Sequence, residues 1–250
     1  MNLEAFHNGS SLFHRMNTRV KLTVASLFAL VCAVSTSLHT ITLALFFAMV
    51  LVVVARLNWL QVLKRLALVN GFILFLWATL PLTYPGKEAY SILFFSVSVE
   101  GMIMALLITL KTNSIVLACI ALLATSTITA LGYGMQKMFI PKKLCLLLLF
   151  SYRYIIVIFQ EFKRLNRAAR IRCFTPKTNV HTYRTFGYLF GMTLVKSWQR
   201  AERVNDAMVL RGFDGTFHSL NEQLMSPKDL IIGFFIMAIP VMLAGLDIWY

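Results

Sequence analysis

The longest stretches of this chain without a formal charge exceed what the interior of an ordinary soluble domain requires. Thirty-four uncharged residues separate Lys21 from Arg56, and 25 more run from Thr112 to Gln136. About 20 consecutive apolar residues are enough for a helix to cross a bilayer. The whole chain of 250 residues is also 58% hydrophobic, against about 45–50% in soluble domains. These features predict an all-α polytopic membrane protein.

The first uncharged run predicts two short membrane helices rather than one long one. Polar residues at 35–37, 39 and 40 interrupt it and leave two halves of about 17 residues, near the lower limit for a span. Basic residues flank the pair at Arg19 and Lys21 and again at Arg56. The positive-inside rule therefore predicts that the N-terminus and both flanks are cytoplasmic.

Three further spans are predicted, at about 66–86, 112–131 and 230–246. The stretch 89–110 contains Glu100 and is closed by Lys111. We expect this stretch to lie at the membrane interface or against other helices, because a carboxylate inside a membrane is costly. A turn at Pro85-Gly86 should be external and the basic residues at 137–143 cytoplasmic, so an odd number of crossings joins them. The total is five spans, or six if 89–110 also crosses.

Residues 137–212 differ in kind from the apolar segments on either side. They hold 15 of the 24 basic residues and three acidic ones, which gives a net charge of +12. Residues 1–136 hold eight basic and three acidic residues. Basic residues interspersed among apolar ones predict long amphipathic helices at the cytoplasmic membrane face, the first ending at Thr175-Pro176. The predicted organisation is a membrane domain at 1–136, cytoplasmic coupling helices at 137–229 and a last membrane helix at 230–250.

A short motif occurs twice in this basic region, 39 residues apart. Each copy has arginine, alanine and arginine at four-residue steps, which share one face of a helix, followed by a small residue and a phenylalanine. The first copy is Arg164, Ala168, Arg172 and Cys173, and the second is Arg203, Ala207, Arg211 and Gly212. Binding of anionic lipid headgroups requires only charge density and does not explain this spacing. The motif therefore predicts two helix ends that dock onto a partner through arginine.

Other functional classes lack their sequence signatures. The chain has no GxxxxGK[ST] loop, and its histidines and cysteines show no metal-ligand spacing, so no cofactor, metal site or catalytic centre is predicted. A stand-alone carrier or channel would need intramembrane polar residues, which are scarce. The long uncharged runs argue against a nucleic-acid-binding protein. A membrane-anchored protein whose basic region binds RNA or anionic lipid remains an alternative that salt dependence would identify.

The two arginine endings resemble the paired Ala-Arg-Gly signatures of the T component (EcfT/CbiQ type) of energy-coupling-factor (ECF) ABC transporters. The resemblance covers nearly the whole chain. It includes Arg19-Val20-Lys21-Leu22, Val99-Glu100-Gly101, and Pro141 followed by Tyr152-Arg153-Tyr154. The segment between the two signatures, 178–208, is most similar to the cobalt/nickel branch, CbiQ.

The resemblance implies a non-catalytic subunit of the inner membrane. In the family, cytoplasmic coupling helices sit in grooves of two ATP-binding subunits, which hydrolyse ATP, and transmit their closure to a substrate-binding membrane subunit (S component). That subunit would be of the metal type here, with a vitamin-type transporter as the alternative. Arg172 and Arg211 would be the principal contacts to the ATP-binding subunits, and Ala168, Ala207 and Gly212 would permit the close fit.

The chain departs from the family pattern at Cys173, where the family usually has glycine. A left-handed helix cap is strained at a residue with a Cβ atom. Either the first ending is not capped in this way, or its contact with the partner is altered.

Overall fold

The described part of the computed structural model, residues 13, 16–84, 88–92, 95–138, 140–213, 215 and 227–249, is almost entirely helical. This confirms the predicted all-α class, to which the described residues add one short β-hairpin. The helices are α1 Thr18–Val34, α2 Leu38–Val54, α3 Trp59–Thr83, α4 Val99–Leu122, α5 Ile128–Gln136, α6 Lys142–Ile171, α7 Val180–Val209 and α8 Pro227–Trp249. The hairpin consists of β1 Glu88–Ile92 and β2 Phe95–Ser98, with Ile92 paired to Phe95.

The chain packs as two compact units. Unit 1 comprises Met1–Met138 and Glu222–Tyr250, and unit 2 comprises Phe139–Asn221. Unit 1 therefore holds α1 to α5, the hairpin and α8, while unit 2 holds α6 and α7.

Four of the described helices are long and apolar enough to cross a membrane: α3, α4, α6 and residues Asp229–Asp247 of α8. The first and last of these correspond to the spans predicted at 66–86 and 230–246. The predicted short pair is present as α1 and α2, each of 17 residues, with the break at residues 35–37. The helix α6, predicted to lie at the membrane face, also has the length and hydropathy of a span.

The predicted boundary at Lys111, which separated 89–110 from a span at 112–131, is wrong. Helix α4 runs through it from Val99 to Leu122. The Lys111 ammonium donates a hydrogen bond of 3.0 Å to the carbonyl oxygen of Ala33, in the last turn of α1, where carbonyls lack helical partners. The uncharged run breaks instead before Thr127, whose hydroxyl caps α5 by accepting from the Ala130 amide.

The two ends of the predicted 89–110 segment also have different structures. Residues 89–92 and 95–98 belong to the two strands of the β-hairpin, and residues 99–110 form the first half of α4. Glu100 lies exposed in the first turn of α4, where the helix dipole favours a carboxylate. The predicted turn at Pro85-Gly86 lies outside the described residues.

Close helix packing in unit 1 depends on small residues. A Cβ atom at Gly101 of α4 would lie 2.7 Å from the carbonyl oxygen of Leu80 in α3, so this approach requires glycine. Small side chains let helix backbones approach closely in membrane proteins. The buried core includes five alanines on three helices, Ala25, Ala44, Ala48, Ala118 and Ala121.

Two polar contacts connect distant parts of unit 1. The fully buried Lys21 of α1 donates to the Ser126 hydroxyl between α4 and α5, at 2.8 Å. Near the end of α8, the Asp247 carboxylate accepts from the hydroxyls of Ser35 and Ser37, at 2.9 and 2.8 Å, and from the backbone amides of Thr36 and Ser37. The second contact fixes α8 to the turn between α1 and α2.

Candidate partner-docking site

The two helices of unit 2 form an antiparallel hairpin held by one carboxylate. Glu161 of α6 is nearly buried, and its Oε1 lies 2.6 Å from the ammonium of Lys196 on α7. Its Oε2 lies 3.5 Å from a guanidinium nitrogen of Arg164 and 4.0 Å from one of Arg200. One anion thus joins cations from both helices, and it fixes the helices against each other at mid-length.

Aromatic rings extend this contact toward the link between the helices. The rings of Phe162 and Phe190 stack with centroids 5.0 Å apart. In the link, the ring of Phe174 lies edge-on to Phe186, at 5.9 Å, and also contacts the ring of His181. The end of α6 is therefore held against the first turns of α7.

The link between the two helices begins earlier than the helix end predicted at Thr175-Pro176. Helix α6 ends at Ile171, four residues before Thr175. Asn179 caps α7 by accepting hydrogen bonds from the Thr182 amide, at 2.9 Å, and from its hydroxyl. Because Asn179 already starts the second helix, residues 172–179 are enough to reverse the chain.

The first arginine ending forms a left-handed C-cap in spite of its cysteine. Cys173 has φ of 61°. The Phe174 amide donates to the Ala169 carbonyl at 3.1 Å, and the Cys173 amide donates to the Arg170 carbonyl at 3.1 Å. This pair of bonds is a Schellman motif, in which glycine is the usual left-handed residue. Of the two alternatives left open for this ending, the absence of such a cap is therefore wrong.

The second ending repeats the same bonds 39 residues later. Gly212 has φ of 73°. The Phe213 amide donates to the Met208 carbonyl, and the Gly212 amide donates to the Val209 carbonyl, both at 3.0 Å. The duplicated sequence therefore encodes a duplicated backbone structure, with an arginine directly before each left-handed residue.

The repeated side chains are mostly exposed. Arg172, Ala168 and Cys173 are exposed at the first end, and so are Arg211 and Gly212 at the second, while Ala207 is half-buried. The first arginine of each copy has a contact within the hairpin. Arg164 pairs with Glu161, and the Arg203 Nε donates to the Gln199 carbonyl. All four arginines are exposed, and Arg172 and Arg211 are the two that lie at the caps.

The two caps lie far apart along the hairpin. Because α6 ends where α7 begins, the first cap is beside the start of α7 and the second is at the far end of that helix. Helix α7 has 30 residues, which at a rise of 1.5 Å per residue gives about 45 Å. The two cap arginines are therefore separated by about the length of α7.

Sequence reasoning did not identify Glu161 as the residue that joins the two helices. A signal was available, because Glu161 is the only acidic residue in α6. Such an isolated carboxylate, surrounded by many cations, is a natural centre for ion pairs, but its partner Lys196 lies 35 positions away and cannot be identified without the fold.

Metal ligands do not cluster in the part of the chain that the structure describes, where no three of His, Cys, Asp and Glu come together. The four cysteines are all free. Cys32 and Cys145 are buried, Cys119 is partly buried, and Cys173 is exposed.

Comparison with known proteins extends over nearly the whole chain. The profile of the CbiQ family, described as cobalt transport protein, matches residues 9–241. The energy-coupling factor transporter transmembrane protein EcfT of Bacillus subtilis is 26% identical over 83% of this chain and 82% of its own length. An uncharacterised protein of Methanocaldococcus jannaschii is 23% identical over 98% of this chain and 86% of its own.

The family match covers far more than half of the chain, and the EcfT relative agrees with it. Both also agree with a membrane protein that has four helices of spanning length among its described residues. The chain therefore belongs to the CbiQ family, and is a CbiQ/EcfT-type transmembrane component of an energy-coupling-factor transporter.

Proposed function

We propose that this chain is the coupling subunit of its transporter, and that Arg172 and Arg211 dock onto two ATP-binding subunits. Closure of those subunits would move the two caps, and the hairpin would pass this motion to a substrate-binding membrane subunit. The chain itself would catalyse no reaction. The observation that carries the proposal is the identical cap built twice, each with an exposed arginine.

The chemistry of each cap suits a protein groove. An arginine offers five donors in a fixed fork and binds carboxylates or carbonyls in a defined geometry. The small Ala168 and Ala207, one turn before each arginine, let the partner surface approach the helix. The separation of about 45 Å between the caps favours two copies of a partner over a single small one.

The hairpin is suited to transmit motion because its two helices are tied at mid-length. Glu161 connects α6 to Lys196 and Arg200 of α7. Displacement of one cap would therefore move both helices. Helix α7 also leaves Leu194 and Trp198 about 70% exposed. Such residues are available for a membrane-embedded partner such as the substrate-binding subunit.

Charge reversal tests the docking directly. Arg211→Glu and Arg172→Glu, alone and together, should lower the retention of the ATP-binding subunits when the complex is purified, and should reduce substrate uptake in cells. The reason is that a carboxylate would replace the donor fork at the groove. Arg167→Glu is the matched control, because Arg167 is exposed on the same helix but lies outside the motif.

Two results would decide against this function. The first is normal retention and normal uptake in the double variant. The second is an equal loss in Arg167→Glu, which would show that overall positive charge matters rather than the caps.

The transported substrate is proposed to be cobalt or nickel ions, with a metal-type substrate-binding subunit. The description of the matching family as cobalt transport protein supports this branch. The vitamin-type transporter is kept as the alternative, because the name of the EcfT relative specifies no metal. Uptake of radioactive cobalt by cells that express the whole transporter, compared with cells lacking this chain, distinguishes the two.

The chain is further proposed to lie in the inner membrane with its N-terminus and α6–α7 hairpin in the cytoplasm. Basic residues on both sides of the α1–α2 pair and in unit 2 support this orientation. The functional division would then be membrane segments at 1–136 and 230–250 around coupling helices at 137–229. Reporter fusions after residues 136 and 221 should both report a cytoplasmic position.

A further inference from the structure

Lys21 is the one basic side chain that is buried in the part of the chain that the structure describes. It lies near the start of α1 and is 1% exposed. Its ammonium donates a hydrogen bond of 2.8 Å to the Ser126 hydroxyl. It also interacts electrostatically with the Asp229 carboxylate, in the first turn of α8. Burial of an ammonium is costly unless the charge has partners, so Lys21 requires both of these segments to be in place.

The two segments that Lys21 joins are those that flank unit 2 in the sequence. Ser126 lies just before α5, the last helix of unit 1 before the chain enters unit 2. Asp229 lies in α8, the helix with which the chain continues after it returns to unit 1. Motion that passes along the backbone from the α6–α7 hairpin therefore reaches unit 1 at α5 and at α8.

Close packing also brings α5 and α8 against the start of α1. A Cβ atom at Gly233 of α8 would overlap the Cγ1 atom of Val20, and one at Gly134 of α5 would lie 3.4 Å from the Cγ2 atom of Thr18. Both contacts are within one helical turn of Lys21. The first turns of α1 therefore contact both helices that flank unit 2.

A charged contact at this place restricts motion in a way that apolar packing does not. Apolar attraction has no preferred direction, so it opposes sliding of packed helices only weakly. A hydrogen bond has a defined length and angle, and sliding would leave a buried charge without its partner. Replacement of a buried charge by an apolar side chain of similar volume is often neutral for stability. We therefore expect Lys21 to fix the positions of its neighbours more than it adds to stability.

We propose that Lys21 is a positioning residue of the coupling mechanism, which ties α5 and α8 to α1 so that the α6–α7 hairpin moves both helices together. This inference rests on the coupling function proposed above and adds the place where the motion enters unit 1. Docking of the ATP-binding subunits does not require Lys21, because the arginine caps belong to unit 2.

Hydrogen exchange of the complete transporter can follow this motion without knowledge of the substrate. It is measured with and without the non-hydrolysable ATP analogue adenylyl imidodiphosphate. The Phe174 and Phe213 amides report on the two caps. The Ala130 and Gly233 amides report on α5 and α8.

The first variant is Lys21→Met, which removes the charge and keeps an unbranched side chain. The caps should still respond to the analogue, and the ATP-binding subunits should be retained on purification. The response at Ala130 and Gly233 should fall about tenfold, because one hydrogen bond from a charged donor is lost. A residue that served only stability would instead lower the unfolding temperature and leave the response of the folded transporter intact.

The matched control is Lys111→Met. Lys111 also joins two helices of unit 1 by a hydrogen bond, but its acceptor, the Ala33 carbonyl, lies at the opposite end of α1 from Lys21. This control should retain the response at Ala130 and Gly233. Equal loss would overturn the proposal, because loss of any polar contact in unit 1 would then have the same effect.

A second variant, Asp229→Asn, tests the proposal even if Lys21→Met does not assemble. It keeps the shape of a partly exposed side chain and removes its charge. The response at Gly233 should fall about fivefold, while the response at Ala130 should persist because Ser126 still accepts from Lys21. An unchanged response at Gly233 would overturn the proposal, and so would an unchanged response in assembled Lys21→Met.

Failure of the underlying coupling function would have a different signature. The Phe174 and Phe213 amides would then not respond to the analogue even in the unaltered transporter. That result would refute the docking function and, with it, the role of Lys21. A response at both caps combined with no effect of Lys21→Met would refute the role of Lys21 alone.

Discussion

The ends of α6 and α7 have the same backbone cap but different residues at its left-handed position. Gly212 adopts φ of 73° without a steric penalty, whereas Cys173 adopts φ of 61° with a Cβ atom that crowds the neighbouring carbonyl. For a non-glycine residue this conformation costs about 1–2 kcal/mol. The difference shows that the surroundings, rather than the cysteine itself, impose the cap at the first end.

Those surroundings are visible at the first end. Phe174 follows the cap, and its ring is held by Phe186 and His181 at the start of α7. The chain must reverse within eight residues, and the cap starts this reversal. The first end is therefore a strained cap supported by tertiary contacts, and the second is a relaxed cap that depends on its glycine.

The largest effect should come from removing that glycine. Gly212→Val places a β-branched residue at positive φ and should weaken the second cap by about 2 kcal/mol. Exchange of the Phe213 amide hydrogen should then accelerate about thirtyfold, measured by hydrogen exchange of the full chain. The Phe174 amide is the internal control and should not change. Slow exchange at Phe213 in this variant would mean that glycine is not needed there.

A smaller effect of opposite sign is expected at the first end. Cys173→Gly removes the crowded Cβ atom and should stabilise the cap by about 1 kcal/mol, which slows Phe174 amide exchange about fivefold. Cys173→Ala serves as the control, because alanine keeps the Cβ atom and should exchange at nearly the original rate. We expect Cys173→Gly to support transport, and loss of uptake in cells would show that the thiol has a role in docking.

Swapping the residues at positions 173 and 212 should change the free energy of unfolding least among the cap variants. Cys173→Gly combined with Gly212→Cys should leave the free energy of unfolding within about 0.5 kcal/mol of the original, because effects at distant sites add. The strain should instead move to the second end, so the Phe213 amide hydrogen should exchange faster than the Phe174 amide hydrogen. If the Phe174 amide hydrogen still exchanged faster, the two caps would not be equivalent.

Substitution of the alanines in the two motif copies should weaken partner binding without affecting folding. Ala168→Leu keeps a strong helix former at an exposed position, so stability should change by less than about 0.5 kcal/mol. The larger side chain should nevertheless keep the partner surface away and reduce retention of the ATP-binding subunits, with Ala207→Leu acting in the same way at the second end. Ala201→Leu, also exposed but on another face of α7, should retain them fully.

The sequence predicted the repeated ends well because their signal is local. Four-residue spacing and the Arg-small-Phe order depend only on helix geometry, and the structure gives both copies the same hydrogen bonds. The conformation of Cys173 could not be predicted, because its preference for negative φ competes with contacts made by Phe174 to residues further along the chain.

The boundary of α4 was missed for a related reason. Counting charges makes Lys111 look like the end of a membrane segment, but its ammonium satisfies the Ala33 carbonyl, 78 residues earlier in the chain. The real break lies in an uncharged run, where Thr127 begins a new helix. Charge identifies a boundary only when the charged group has no partner inside the fold.

The exposed thiol of Cys173 also allows chemical labelling of the first arginine ending in the unaltered protein. The other three cysteines are buried or half-buried, so a membrane-impermeant maleimide should modify Cys173 first, and only from the compartment that this end faces. An ATP-binding subunit seated on Arg172 would cover the thiol and slow the reaction. The labelling rate of Cys173, measured over time and with or without nucleotide, would then report whether a partner covers the first end. The second end has glycine at this position and stays unlabelled.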